Sequence, residues 1–117
     1  MSFRVRLTRD AEQDLERLFD FVLERERART AADMNGVMNG VMNGVMELAD
    51  QALNAIRAGI ATLKTSPFTC RKAGNSPFLR ELVIRFGGSG YVALFEVVDS
   101  NDVVVCAVRH QLEADYH

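Results

Sequence analysis

The chain opens with strict alternation of apolar and charged residues. In the segment 3–7 every second residue is apolar and those between are arginine, which predicts a β-strand with one buried face. Thr8 follows as a candidate N-cap, and the acidic residues Asp10 and Glu12 fall in the first helical turn, where the helix dipole favours them. A helix from about Arg9 to about Arg29 is therefore predicted. Its apolar stripe, with spacings of four, three and four, consists of Ala11, Leu15, Leu18 and Val22.

A second amphipathic helix is predicted from about Glu47 to about Lys64. It ends before Ser66-Pro67, because proline cannot continue the hydrogen-bond ladder. The following segment, 68–78, has the composition of a loop. The apolar stripe of the second helix consists of Ala49, Ala52, Leu53, Ile56, Ile60 and Leu63.

Three further strands are predicted in the rest of the chain. The first strand contains Leu82, Ile84 and Phe86 at every second position. The other two strands are predicted at 91–98 and 103–109. Short turns join them, so consecutive strands pair antiparallel. The order β-α-α-β-β-β predicts an α+β domain over residues 1–117, with a helical hairpin packed on a small antiparallel sheet.

A tandem repeat lies between the two predicted helices. The unit Asn-Gly-Val-Met occurs three times over residues 35–46. Three glycines each cost about 1 kcal/mol relative to alanine in a helix, which argues against firm helical structure there. We interpret the repeat as an inert tandem insertion in a tolerant connection. The alternatives are a methionine-rich binding patch and a self-association element.

Composition narrows the class of protein. With 48% hydrophobic and 26% charged residues, 117 residues suffice for one globular domain. No apolar run approaches the roughly 20 residues of a membrane span, and the N-terminus has no apolar signal core, so a cytoplasmic protein is predicted. Cys70 and Cys106 fit neither a disulfide framework nor a metal-ligand spacing, which predicts reduced thiols, no metal and no cofactor.

Charge is distributed unevenly, although the net value is only −2. The segment 51–90 carries six basic residues and one acidic residue, whereas 10–26 carries seven acidic and two basic residues. A functional basic patch and a set of ordinary surface arginines explain this equally well.

Several ordered motifs resemble one family. The opening FRVRLTRDAEQDLERLFDFV is similar to the first strand and helix of the RelE/ParE toxin superfamily, and ALNAIRAGIATLKTSP is similar to its second helix. The three later strands are matched by LRELVI, GYVALFEV and VVVCAVRH. Within the superfamily the pattern is closer to ParE, the type often called plasmid-stabilisation protein.

The resemblance implies a growth-arresting toxin of a type II toxin–antitoxin system, silenced by a cognate antitoxin. ParE-type members bind and poison DNA gyrase without an enzymatic step, whereas RelE-type members cleave messenger RNA on the ribosome. A homodimer and a heterotetramer with the antitoxin both stay open. The residues that we expect to bind the target are Arg80, Arg85, Arg109, His110, Leu112 and Tyr116.

Metal-free RNA cleavage requires an acid, a base and cations for the developing phosphorane charge. The candidates for those roles are Arg85, Arg109, His110 and Tyr116. RelE-type nucleases generally carry a dense basic cluster, but this chain has only two lysines and a negative net charge. We therefore predict a ParE-like inhibitor. A ribosome-dependent mRNA interferase is the alternative, and an inactive binding module with the toxin fold is a third interpretation.

Overall fold

The computed structural model describes residues 2–33, 38–74, 76, 78–86 and 89–111. The chain starts with strand β1 (Arg4–Leu7), helix α1 (Arg9–Asp33) and helix α2 (Met38–Ala61). Two single-turn 3-10 helices follow, at Thr62–Lys64 and Pro67–Thr69. The remaining elements are the strands β2 (Arg71–Lys72), β3 (Leu79–Phe86), β4 (Ser89–Val97) and β5 (Asp102–His110).

The sheet has five strands in the order β1-β5-β4-β3-β2, and both helices pack on one of its faces. The pairs β3–β4 and β4–β5 are antiparallel, as their short turns require. The α+β class and the β-α-α-β-β-β order are thus confirmed. The short strand β2 lies within the segment predicted as a loop and pairs with the start of β3.

The sheet is mixed rather than wholly antiparallel, because β1 pairs parallel to β5. The two helices and three strands between β1 and β5 replace the tight turn that would dictate antiparallel pairing, so the chain returns to β1 in the same direction. Thr8 continues this contact beyond the strand. Its backbone N–H donates to the Val105 carbonyl at 2.9 Å, and its hydroxyl donates to the Cys106 carbonyl at 3.2 Å.

Helix α1 begins as the sequence predicts. The Ala11 N–H donates to the Thr8 hydroxyl oxygen at 3.1 Å, which satisfies a backbone group that the first helical turn leaves without a partner. The predicted stripes of both helices meet the sheet in one core. Its fully buried members include Leu18, Ile56, Leu63, Tyr91, Phe95, Val103, Val105 and Val108.

Helix α2 starts nine residues earlier than the sequence pattern predicts, at Met38. The backbone of Met38–Met46, which belongs to the tandem repeat, is helical rather than a connection. Each glycine there costs about 1 kcal/mol. Extending a helix that already packs on the core needs no new nucleation, however, and each added residue gains a hydrogen bond. Residues 35–37 lie outside the described residues, and the interpretation of the repeat as an inert tandem insertion stays a prediction.

Candidate functional site

The face of the sheet opposite the helices carries two of the predicted target-binding arginines. Strand alternation places Arg85 of β3 and Arg109 of β5 on this side. Between them, on β4, Val92 lies opposite both Val83 and Arg109. We call this surface the open face and define it by Glu81, Val83, Arg85, Val92, Leu94 and Arg109.

Arg109 is held in place by neighbouring acceptors. One guanidinium nitrogen donates to the backbone carbonyls of His110 at 3.2 Å and of Gln111 at 3.4 Å. The other terminal guanidinium nitrogen of Arg109 lies 4.0 Å from a carboxylate oxygen of Glu81. The same oxygen lies 3.6 Å from a guanidinium nitrogen of Arg71. With 16% of its side chain exposed, Arg109 is a fixed cation at the base of the open face. A fixed cation can recognise a carboxylate or a phosphate at little entropic cost.

Arg85 is the exposed cation of the open face. Within the described part of the chain, no hydrogen bond or ion pair involves its side chain. Its cross-strand neighbour is Gly90. A Cβ atom at Gly90 would lie 2.4 Å from the Gln111 Oε1 atom and 3.2 Å from the Ile84 carbonyl oxygen. The glycine therefore lets the Gln111 side chain lie against the strand beside Arg85.

Arg80 does not join these two arginines. Its guanidinium donates to the Cys70 carbonyl at 2.8 Å and lies 5.4 Å from the centre of the Phe68 ring. Its cross-strand neighbour is the buried Phe95, which places Arg80 on the helix side of the sheet. In this position it stabilises the turn that leads into β2.

His110 is buried on the helix side as well, with 3% of its surface exposed. Its ring lies 5.4 Å from that of Tyr91, nearly perpendicular to it, and 6.0 Å from that of Phe21 on α1. Burial raises the pKa of the Tyr91 phenol, and the nearby Arg25 partly opposes this rise. Three of the four residues proposed for RNA cleavage fall among the described residues, and they divide between the two faces of the sheet. Arg85 and Arg109 lie on the open face, and His110 lies beneath the other.

Leu112 and Tyr116, the other predicted target-binding residues, lie outside the described residues. Their role stays a prediction. The open face is consequently defined by the strand residues alone.

Sequence reasoning missed a buried polar contact between α1 and β5. Asp14 is 2% exposed, and its carboxylate accepts a hydrogen bond from the Val108 N–H at 2.9 Å. Arg17 donates to the Val108 carbonyl at 3.4 Å. The side chains of Asp14 and Arg17 thus cover the part of the β5 edge that lies beyond the end of β1. The sequence did contain a signal for this contact. Asp14 falls on the apolar stripe of α1 between Ala11 and Leu15, where a buried carboxylate is unfavourable unless it has a hydrogen-bond partner.

The described residues contain no group of three or more histidine, cysteine or acidic side chains that could hold a metal ion. Cys70 and Cys106 are free thiols, and burial raises the pKa of both. Among the helices of the described residues, none is both long and apolar enough for a membrane span.

Comparison with known proteins assigns the family. The family model for the ParE toxin of the type II toxin–antitoxin system parDE matches residues 41–114, which run from the repeat through β5. This chain belongs to the ParE toxin family. The predicted membership of the RelE/ParE superfamily, with a pattern closer to ParE, is thereby confirmed.

A solved structure shares the fold of this ParE-family chain. It is described as the chromosomal ParDE TA system from P. aeruginosa and superposes with a TM-score of 0.63 at 17% sequence identity. The alignment covers 93% of this chain and 96% of that chain. At this identity the likeness establishes the common fold alone. No curated protein matches the sequence significantly.

Proposed function

We propose that this ParE-family toxin arrests growth by binding and poisoning DNA gyrase, with no enzymatic step of its own. The observation that carries the proposal is the division of charged and titratable groups between the two sheet faces. The open face offers an exposed arginine and a fixed arginine beside the exposed apolar side chain of Val83, which is the make-up of a protein-binding surface. Among the described residues, that face carries no histidine or tyrosine to act as an acid or base.

The surface for gyrase consists of Arg85 and Arg109, together with the predicted contribution of the segment 112–117. Arg85 is free to reorient towards a partner, whereas Arg109 is already positioned by Glu81. We assign Arg80 and His110 to the support of this surface rather than to direct contact, since both side chains lie on the helix side.

A cognate antitoxin neutralises the toxin in this proposal. The solved relative is described as a ParDE toxin–antitoxin system, which supports a protein partner of this kind here. The antitoxin would lay an extended and helical segment across the α1–α2 hairpin and along a sheet edge. Both partners would be met in the cytoplasm, and either a toxin homodimer or a heterotetramer with the antitoxin is compatible with this proposal.

The test is to induce the chain alone in a bacterial host and to assay the purified protein for inhibition of gyrase supercoiling. We expect growth arrest and supercoiling inhibition, with ribosome-bound mRNA left intact. Arg85→Glu should weaken the inhibition at least tenfold, because it replaces an attractive charge by a repulsive one in the interface. Arg27→Glu is the matched control, since Arg27 is an exposed arginine on α1, away from the open face.

Two results would contradict the proposed function, and a third would contradict the surface assigned to it. Growth arrest with untouched gyrase and cleaved mRNA would favour the ribosome-dependent interferase. Soluble, folded protein that causes no arrest would favour the inactive binding module. Equal potency of Arg85→Glu and the unmodified protein would remove the open face from the interface even if gyrase is inhibited.

A further inference from the structure

The outer edge of β1 combines unused backbone hydrogen-bonding groups with an apolar groove. β1 is a terminal strand of the sheet, and its only strand partner within the described residues is β5. The Arg4 N–H donates to the Asn101 carbonyl at 2.7 Å. In the parallel ladder the backbone N–H and C=O groups of Arg4 and Arg6 therefore point towards β5. The backbone groups of Val5 and Leu7 therefore face outward and can accept another strand.

The groove lies directly beside this edge. It is an open depression of about 160 Å³ between β1 and the end of α2. The half-buried side chains of Val5 and Leu7 form one wall, and Ile60 and Ala61 form the other. A strand added to β1 would place every second side chain in this depression, because side chains alternate between the two faces of a sheet.

The charged residues around the groove indicate which kind of chain segment it can bind. Arg57 and Lys64 line the groove, and both are exposed. In the described part of the chain, neither has an ion-pair partner within 4.0 Å, and the groove lining contains no acidic residue. A second copy of this chain would bring two pairs of these cations together across a twofold axis, which disfavours self-association at this edge.

We infer that the β1 edge and its groove bind an extended, acidic segment of the antitoxin as an additional strand. Apolar side chains of that segment pack against Ile60 and Ala61, while its carboxylates pair with Arg57 and Lys64. The inference rests on the proposed neutralisation by an antitoxin and specifies where and how it occurs. The open face stays uncovered by this contact, since the groove side chains lie on the helix side of the sheet.

The two lysines of the chain provide a matched charge-reversal test. Lys64 lines the groove, and Lys72 lies at the opposite edge of the sheet on β2; both are exposed. With antitoxin co-expressed from the neighbouring gene and purified, we expect Lys64→Glu to raise the Kd at least tenfold and Lys72→Glu to change it less than twofold. Equal effects of the two substitutions would overturn the assignment of the groove.

A second pair of variants tests occupation of the groove without changing charge. Ala61 lines the groove and Ala58 does not, although both are exposed residues of α2. Ala61→Phe should fill the depression and weaken antitoxin binding at least tenfold, whereas Ala58→Phe should leave the affinity unchanged. Unimpaired binding by Ala61→Phe would contradict the inference.

Amide hydrogen exchange tests strand addition directly. In the complex the Val5 and Leu7 N–H groups should exchange at least tenfold more slowly than in the free toxin. The Arg4 N–H should change far less, because it is already bonded to Asn101. Unaltered exchange at Val5 and Leu7 would exclude backbone pairing at this edge.

The same variants separate this inference from the proposed target. Lys64→Glu should inhibit gyrase supercoiling as strongly as the unmodified toxin does. If no version inhibits gyrase, the target assignment fails while the binding and exchange measurements still decide the role of the groove. If the neighbouring gene product does not bind the toxin at all, the inference about the groove fails.

Discussion

The carboxylate of Asp14 accepts a hydrogen bond from the backbone N–H of Val108 across a separation of 94 residues. Both residues are buried, with exposures of 2% and 0%. The contact fastens the first helix to the last strand at the point where β1 no longer covers the edge of β5. The strand that presents Arg109 on the open face is therefore fixed by a side chain from the other side of the sheet.

Replacing Asp14 should test the strength of this contact. Asp14→Ala leaves a buried N–H without a partner, and we expect the free energy of unfolding to fall by about 1.5–3 kcal/mol. Urea denaturation monitored by circular dichroism measures the change. Asp20→Ala, an exposed acidic residue on the same helix, should change stability by no more than about 0.5 kcal/mol. Equal losses in the two variants would show that the hydrogen bond contributes nothing specific.

Two glycines of α2 should respond oppositely to alanine. A Cβ atom at Gly59 would lie 2.7 Å from Ile84 Cγ1, so Gly59→Ala should destabilise the protein by about 1–2 kcal/mol despite the better helix propensity of alanine. Gly44 has no heavy atom within 4 Å of the added Cβ, and Gly44→Ala should stabilise by up to about 1 kcal/mol.

Thermal unfolding of the two glycine variants measures both effects. Stabilisation by Gly59→Ala would show that Ile84 yields without cost. A Gly44→Ala variant no more stable than the unmodified protein would show that the repeat contributes no helix in solution.

Tyr91 should make stability sensitive to alkaline pH. Because burial raises the pKa of its phenol above the ordinary value of 10, the unfolded chain loses the proton before the folded one does. The stability associated with neutral Tyr91 is complete below pH 10 and is lost as the pH rises through the folded-state pKa. Cys70 and Cys106 add a loss of the same sign from pH 9 upward, since burial raises the pKa of both thiols.

The tyrosine contribution can be isolated by substitution. Tyr91→Phe should flatten the decline in unfolding free energy above pH 10, measured by urea denaturation at a series of pH values. In a Tyr116→Phe variant, Tyr91 is the only tyrosine, and its ultraviolet titration should be displaced to high pH. A titration at the ordinary value would contradict the buried position of the phenol.

His110 should behave as a core residue. His110→Ala removes a ring packed against Tyr91 and Phe21, and we expect a loss of about 2–4 kcal/mol in the free energy of unfolding. Loss of growth arrest in that variant would follow from the smaller folded fraction. His110→Gln retains polarity without a titratable ring and should still arrest growth. Abolished toxicity in a stably folded His110→Gln protein would restore a chemical role for the histidine.

The sequence predicted those parts of the fold that depend on local periodicity and short turns. Alternation at Leu82, Ile84 and Phe86 correctly indicated a strand, and the Thr8 cap occurs where its residue type suggested. The parallel pairing of β1 and the β-bulge between Leu94 and Phe95 depend on long-range packing, for which no local pattern exists.

The candidate site was predicted less completely than the fold. Arg109 and His110 were both predicted to bind the target, yet neighbouring residues of a strand point to opposite faces. Arg80 and Arg85 are five residues apart on β3, so their side chains also lie on opposite faces of the sheet. Which face the helices cover decides which of these residues can meet a partner, and that follows only from the tertiary structure.

The pairing of β1 with β5 has a consequence for the timing of synthesis. Arg4 lies opposite Asp102, so the 97 residues between the two partners must be translated before they can pair. At about 5–20 residues per second, this takes about 5–20 s, during which β1 has no strand to join. Arg109 reaches the open face only when β5 has been added. Under the proposed role of Arg109 in target binding, a nascent or prematurely terminated chain that lacks β5 should therefore cause no growth arrest.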